Sequence, residues 1–181
     1  MAAGSSITAY WNNPWPHTIG PVMVYMADCG GSCTSATPSS LEWFKIDEAG
    51  LLSGTVGDGY WGMGKLVADN SSWTSTIPAN LPSGNYMIRH ELLAIHSGAD
   101  QPQFYPECAQ LTITGGGGGS PGPTVVVRVL RLGVDKGLAN TFKQKFPGGY
   151  SATDPSIIID VYANDEQNVT TYAIPGPPVW S

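Results

Sequence analysis

Glycine and proline interrupt this chain so often that few stretches are long enough for an ordinary helix: 23 Gly and 15 Pro fall within 181 residues. Between them lie short runs rich in Ser, Thr and aliphatic residues, with six Trp and eight Tyr. Such punctuation favours many short strands joined by tight turns. The chain is therefore expected to fold as an all-β sandwich, and at this length residues 1–181 are expected to form one domain.

Alternation places strands at Ser5 to Trp11, Val22 to Ala27, Leu41 to Asp47, Ser72 to Ile77, Tyr86 to His96 and Ala109 to Thr114, with β character resuming from Ile157 to Tyr162. The loop Asn12 to His17 separates the first two strands. Gly115 to Gly119, with Ser120-Pro121-Gly122-Pro123, has the composition of a flexible linker. The stretch C-terminal to it is too short for an ordinary domain. Residues 117–144 stand out as a Gly-rich, then basic, insert. Within it, Val127-Arg128-Val129 can be encoded as a fungal donor splice signal, Ala139-Asn140 as a branch point and Gln144 as an acceptor. The segment 127–144 is thus expected to be a translated intron, which sequencing a transcript would decide.

Eight Lys plus Arg against a net charge of −6 leave no basic stripe for phosphates, so nucleic acid is not an expected partner. A charge-poor, aromatic-rich surface suits carbohydrate better, since flat rings stack on sugar faces. No apolar run reaches the roughly 18 residues of a membrane span, and the start Met1 to Ser6 has neither the charge nor the apolar stretch of a signal peptide. Cys29 and Cys33 are close enough to close a small loop, which leaves Cys108 alone. Asn70-Ser71-Ser72 and Asn168-Val169-Thr170 are glycosylation acceptors, meaningful only in a secreted chain.

Charged residues make up only 12% of the chain, which makes the segment Arg89 to Leu111, RHELLAIHSGADQPQFYPECAQL, stand out as a polar concentration. His17, His96, Gln103 and Tyr105 are the candidates for chemistry, with Gln103 and Tyr105 two apart and so on one face of an extended run. Imidazole is the commonest nitrogen ligand for copper, and a phenol oxygen can serve as a weak axial group. His90 and His96 on one strand would lie about 20 Å apart and cannot share a metal. Glu91 and Glu107 could pair as hydrolytic acids, although nothing in their spacing favours it. There is neither a helical zinc-protease motif nor a serine-hydrolase elbow.

WPHTIGPVMVYMADCGGSC, WFKIDEAGL, SWTSTIPANLPSGNYMIRHELLAIH, QPQFYPECAQLTITG, FPGGYSATDPSIIIDVY and YAIPGPPVW, in this order, resemble a fungal lytic polysaccharide monooxygenase of auxiliary-activity family nine. The resemblance covers nearly everything but 117–144. It implies an immunoglobulin-like β-sandwich with long loops, one copper ion, and oxidative cleavage of cellulose or a related β-1,4-glucan. An external electron donor, a small reductant or a cellobiose dehydrogenase-like protein, and extracellular location are also implied. Residue by residue, His17 matches a copper-ligand histidine and Tyr105 the axial tyrosine. His96 and Gln103 match the pair that bonds the oxygen species, and Cys29 and Cys33 match a short-loop disulfide. Tyr162, and less closely Tyr150, resemble tyrosines of the flat polysaccharide-facing surface. Glu91 and Glu107 match no catalytic position.

The sequence departs from that family in one respect. Its copper is held by an N-terminal histidine, through both amine and ring, together with a second histidine, whereas this chain begins Met1-Ala2-Ala3-Gly4. The expectation is a form lacking the leading segment and its first strand, which also accounts for the solitary Cys108. Its copper site should be incomplete and its activity impaired, the alternative being a non-catalytic cellulose-binding module. Loss of an edge strand should favour association.

Overall fold

The computed structural model describes residues 1–97, 102–121, 143–144, 146 and 148–180. Its strands are β1 (Ser6–Tyr10), β2 (Val22–Asp28), β3 (Trp43–Ala49), β4 (Leu51–Gly54), β5 (Gly59–Trp61), β6 (Ser72–Thr76), β7 (Gly84–Ala94), β8 (Gln103–Ile113) and β9 (Lys143–Gln144). Two short helices accompany them, α1 (Gly62–Ala68) and α2 (Pro155–Ile158). A five-stranded sheet in the order β8-β7-β2-β3-β9 faces the two-stranded sheet β1-β6, and β4-β5 forms a separate hairpin. This is a β-sandwich, as the punctuated sequence predicts.

The continuous apolar run of β2 suits a strand buried on both faces. Val22, Val24 and Met26 join Phe44, Trp73, Ile77, Ile88 and Leu92 in the core between the sheets. Met23, Tyr25 and Ala27 point the other way, onto Trp61, Leu93, Ile157 and Val161. Alternation along β2 thus assigns successive residues to two apolar layers. Lys45 on β3 is fully buried, where its ammonium donates to Glu48 at 2.6 Å and to the Pro175 carbonyl at 2.8 Å. That pairing anchors the C-terminal segment to the sheet.

β7 and β8 pair antiparallel over eleven positions, from Gly84↔Ile113 to Ala94↔Gln103. The register decides the carboxylate question. Glu91 lies opposite Pro106 and Glu107 lies opposite His90, so the two acids project from opposite faces of the sheet. They cannot act as a hydrolytic pair. Glu91 is fully buried and forms an ion pair with Arg89. Among the described residues the outer edge of β8 has no strand partner, and Cys108 on it is a free, exposed thiol.

Some boundaries differ from the expected ones. β8 begins at Gln103 rather than Ala109, because β7 supplies a ladder for a stretch whose own pattern is poor. β7 ends at Ala94, two residues before His96. Residues 157–162 do not form a strand: Pro155 opens a single helical turn whose cap, Asp154, accepts from Ser156 N at 3.0 Å, both helix-start signals. The glycine run does not hang free, since Gly119 N donates to Asn80 O at 2.9 Å. Residues 122–142 of the insert, and with them nearly all of the segment read as an intron, lie outside the described residues.

His90, on the inner face of β7, is 5% exposed and meets the Trp11 ring edge-on, with centroids 6.1 Å apart. Burial pulls its pKa from 6.5 down to about 4, against a smaller opposing pull from Asp47. The folded state therefore favours the neutral ring, while the unfolded chain takes up a proton below pH 6.5. Stability contributed by keeping His90 neutral is complete above pH 6.5 and falls as the pH drops from 6.5 to 4, by up to ~3 kcal/mol. Urea unfolding of wild type and His90→Leu between pH 7 and 4 should show a shallower decline in the variant. Parallel declines would remove His90 as the cause.

Candidate functional site

His17 sits on the loop between β1 and β2, and the loop is held from both sides. On one side stands the turn after α1, where Asn70 and Ser71 both adopt left-handed conformations, φ 60° and 53°. The hydroxyl of fully buried Ser71 accepts from Trp15 N at 2.9 Å, and the Asn13 amide donates to Asn70 Oδ1. On the other side the loop continues the sheet: Leu93 N donates to Pro21 O and Ile95 N to Ile19 O, both at 3.2 Å. The Trp15 ring then packs edge-on against His17, 5.9 Å between centroids, and against Tyr105 at 5.0 Å.

Sequence reading missed this clamp because Asn70-Ser71 is more than fifty residues from the histidine it positions. Ser71→Ala would leave the half-buried Trp15 N–H without its acceptor, at a cost of about 1–3 kcal/mol. A lowered midpoint in thermal unfolding, together with a moved His17 ring signal in NMR, is the expected result. An unmoved His17 signal would show that the clamp does not set the ring.

Four side chains that the sequence singled out converge at this place. His17 Nε2 and the Tyr105 hydroxyl lie 3.0 Å apart, and Tyr105 donates to Gln103 Oε1 at 2.6 Å. His96 follows β7, its carbonyl accepting from Val161 N at 3.2 Å, and its ring centroid is 5.3 Å from that of His17. His96 Nε2 is buried and without a partner among the described residues. It is an unused polar atom beside the His17 ring. Burial, and secondarily the neighbouring His96, hold the His17 pKa below its usual value, which keeps an imidazole lone pair available near neutral pH.

A cleft of about 130 Å³ joins His17 and His96 to Pro16, Thr18, Ile19 and Tyr162, and Tyr162 is 59% exposed. Tyr150 is elsewhere. Its hydroxyl donates to Glu91 Oε1 at 2.6 Å and lies 2.8 Å from the Tyr25 hydroxyl. Burial, with Tyr25 and Glu91 adding to it, raises its pKa well above the ordinary phenol value. It borders a separate cavity of about 580 Å³ with Arg89, Glu91, Phe104 and Phe146. Cys29 and Cys33 form the expected disulfide.

The profile of Auxiliary Activity family 9 (formerly GH61) matches residues 1–172. The chain is 58% identical over 180 residues to AA9 family lytic polysaccharide monooxygenase B of Heterobasidion irregulare, an alignment covering 99% of this chain and 65% of that protein. The chain belongs to family AA9. It is also 50% identical to the AA9 family lytic polysaccharide monooxygenase-like protein CEL1 of Agaricus bisporus, over 99% of this chain and 51% of that protein. Among solved structures it is similar to HiLPMO9B, with a TM-score of 0.84 at 58% identity, covering 99% of this chain and 70% of that one. A cellulose-active polysaccharide monooxygenase from M. thermophila gives 0.80 at 39% identity, with 99% and 73% covered. The chain spans less than two thirds of the length of these curated relatives.

Within this AA9 chain the donor set can be tested for copper. Of its three histidines, His17 and His96 adjoin, while His90 is buried in the core. Among the described residues no three His, Cys, Asp or Glu side chains are grouped to hold a metal. His17 and Tyr105 offer one nitrogen and one phenol oxygen at a common point. That is a partial set, and the residues described do not complete a copper site.

Proposed function

We propose that this chain provides the oxygen-handling, polysaccharide-facing part of a secreted copper-dependent monooxygenase acting on cellulose or a related β-1,4-glucan with an external electron donor. One observation carries the reading: in an AA9 sandwich, His17 Nε2, Tyr105 Oη and Gln103 form a connected set, with His96 Nε2, unpartnered among the described residues, beside it and exposed Tyr162 on the same cleft as His17 and His96. His17 and, more weakly, Tyr105 would be the residues to hold the copper. In this reading His96 and Gln103 would hydrogen-bond an oxygen species, and Tyr162 would stack on a sugar face. Copper, when bound, supplies one-electron chemistry with oxygen or peroxide. Tyr150, its hydroxyl committed to buried partners, is the weaker candidate for substrate contact.

The partial donor set favours a second reading for the chain as it stands, a cellulose-binding module without redox chemistry. Incubation with copper, ascorbate and cellulose separates the two. Oxidised oligosaccharides support the oxygenase reading. Retention on the solid with no oxidised product at saturating copper supports the binding module, and Tyr162→Ala should then weaken retention several-fold. A chain that neither binds nor oxidises the polysaccharide would sink both.

A further inference from the structure

The two glycosylation acceptor sequences occupy different surroundings. Asn70-Ser71-Ser72 is built into the turn that clamps the His17 loop. The Asn70 amide is joined to that of Asn13, Ser71 is fully buried, and the Ser72 hydroxyl donates to Asp69 O at 2.6 Å. A sugar on Asn70 would grow from an amide already seated against the loop.

Asn168-Val169-Thr170 is free of such duties. Asn168 ends a 3-10 turn, Asn164–Asn168, that contains no buried residue. Both Asn168 and Thr170 are exposed, and among the described residues neither side chain hydrogen-bonds. The backbone beneath them is nevertheless fixed: Val169 N donates to Glu166 O at 3.3 Å, and Val169 O accepts from Val56 N at 2.7 Å. A bulky group at Asn168 would project into solvent from a held turn, displacing nothing.

We propose that Asn168 carries an N-linked glycan and that Asn70 does not. The inference rests on the secreted reading given above, since only the secretory pathway supplies the co-reactant, a lipid pyrophosphate-linked oligosaccharide. In the transfer, Asn168 Nδ2 bonds to the anomeric carbon as the bond from that carbon to the pyrophosphate oxygen breaks. The amide gives up one proton, and the lipid pyrophosphate leaves. The Thr170 hydroxyl completes the acceptor pattern.

The experiment is expression of the full chain behind a secretion leader in yeast, with peptide mass mapping before and after release of glycans by an amidase. Asn168 should be found converted to Asp on release, with Asn70 unchanged. Thr170→Ala should abolish the modification, Thr170→Ser should retain it, and Asn70→Gln should leave the mass pattern as in wild type. A bare Asn168 in exported protein with the Cys29–Cys33 bond closed would overturn this inference and leave the secreted reading intact. Occupancy at Asn70 in place of Asn168 would overturn it as well. A chain that is not exported, or whose cysteine pair stays reduced, would overturn both.

Discussion

Titrated with Cu²⁺ in a calorimeter at neutral pH, this chain is expected to show weak binding, without the sharp one-to-one equivalence of a closed site. The reason lies in the donors. His17 Nε2 is one good nitrogen. Tyr105 is a phenol 3.0 Å from it, and its proton is already engaged by Gln103. Copper prefers several nitrogen donors in a tetragonal arrangement, and one imidazole does not provide it. His17→Ala should remove most of the residual heat, while His90→Leu should not change it. Tight stoichiometric binding by the unaltered chain would refute the donor count.

Gly20→Ala is expected to be the most damaging small substitution near the site. Gly20 holds φ at +132°, and a Cβ there would lie 1.9 Å from the Leu93 carbonyl oxygen and 3.3 Å from Met63 Sδ. Neither neighbour is free to withdraw. Leu93 is locked to this loop by its own N–H bond to Pro21 O, and Met63 N donates to Gly20 O at 3.2 Å. The backbone conformation alone costs about 1–3 kcal/mol for a residue with a side chain. With the overlap added, the loss should exceed ~3 kcal/mol, or a fall in Tm of roughly 6–12 °C at this chain length. Gly30→Ala is the control. Gly30 also has a positive φ, +63°, but a Cβ there meets nothing within 4 Å, so only the conformational cost of about 1–2 kcal/mol applies. Thermal unfolding of the two variants, with the His17 ring signal as the local probe, tests the difference. Equal, small shifts would show that the loop yields easily and that Gly20 is not the wedge.

β2 was readable in the sequence because an unbroken apolar run of strand length has few alternatives. α1 was not: Gly62 and Gly64 give it poor helix propensity, and it forms because Met63 and Leu66 bury into the core. The first half of β8 was hidden by Gln103, Pro106 and Glu107, residues that look unlike a strand until β7 lies alongside. At the site the pattern was similar. His17, His96, Gln103 and Tyr105 stood out by residue type in a charge-poor chain, and Gln103 and Tyr105 share a face as period two requires. Trp15, Ser71 and Gly20 went unnoticed, since their roles consist wholly of contacts with distant segments.

The sequence by itself determined that the chain would be β-rich, that it would close a disulfide between Cys29 and Cys33, and that histidine, glutamine and tyrosine would be the candidates for its chemistry. Those are properties of composition and local spacing. Only the tertiary structure decided that His17 meets Tyr105 across 88 residues while His90 is buried in the core. It also decided that Glu91 and Glu107 face apart, and that one glycosylation acceptor serves as a clamp while the other is open. Each of these depends on strand register and loop packing, which bring together side chains that have no relation along the chain.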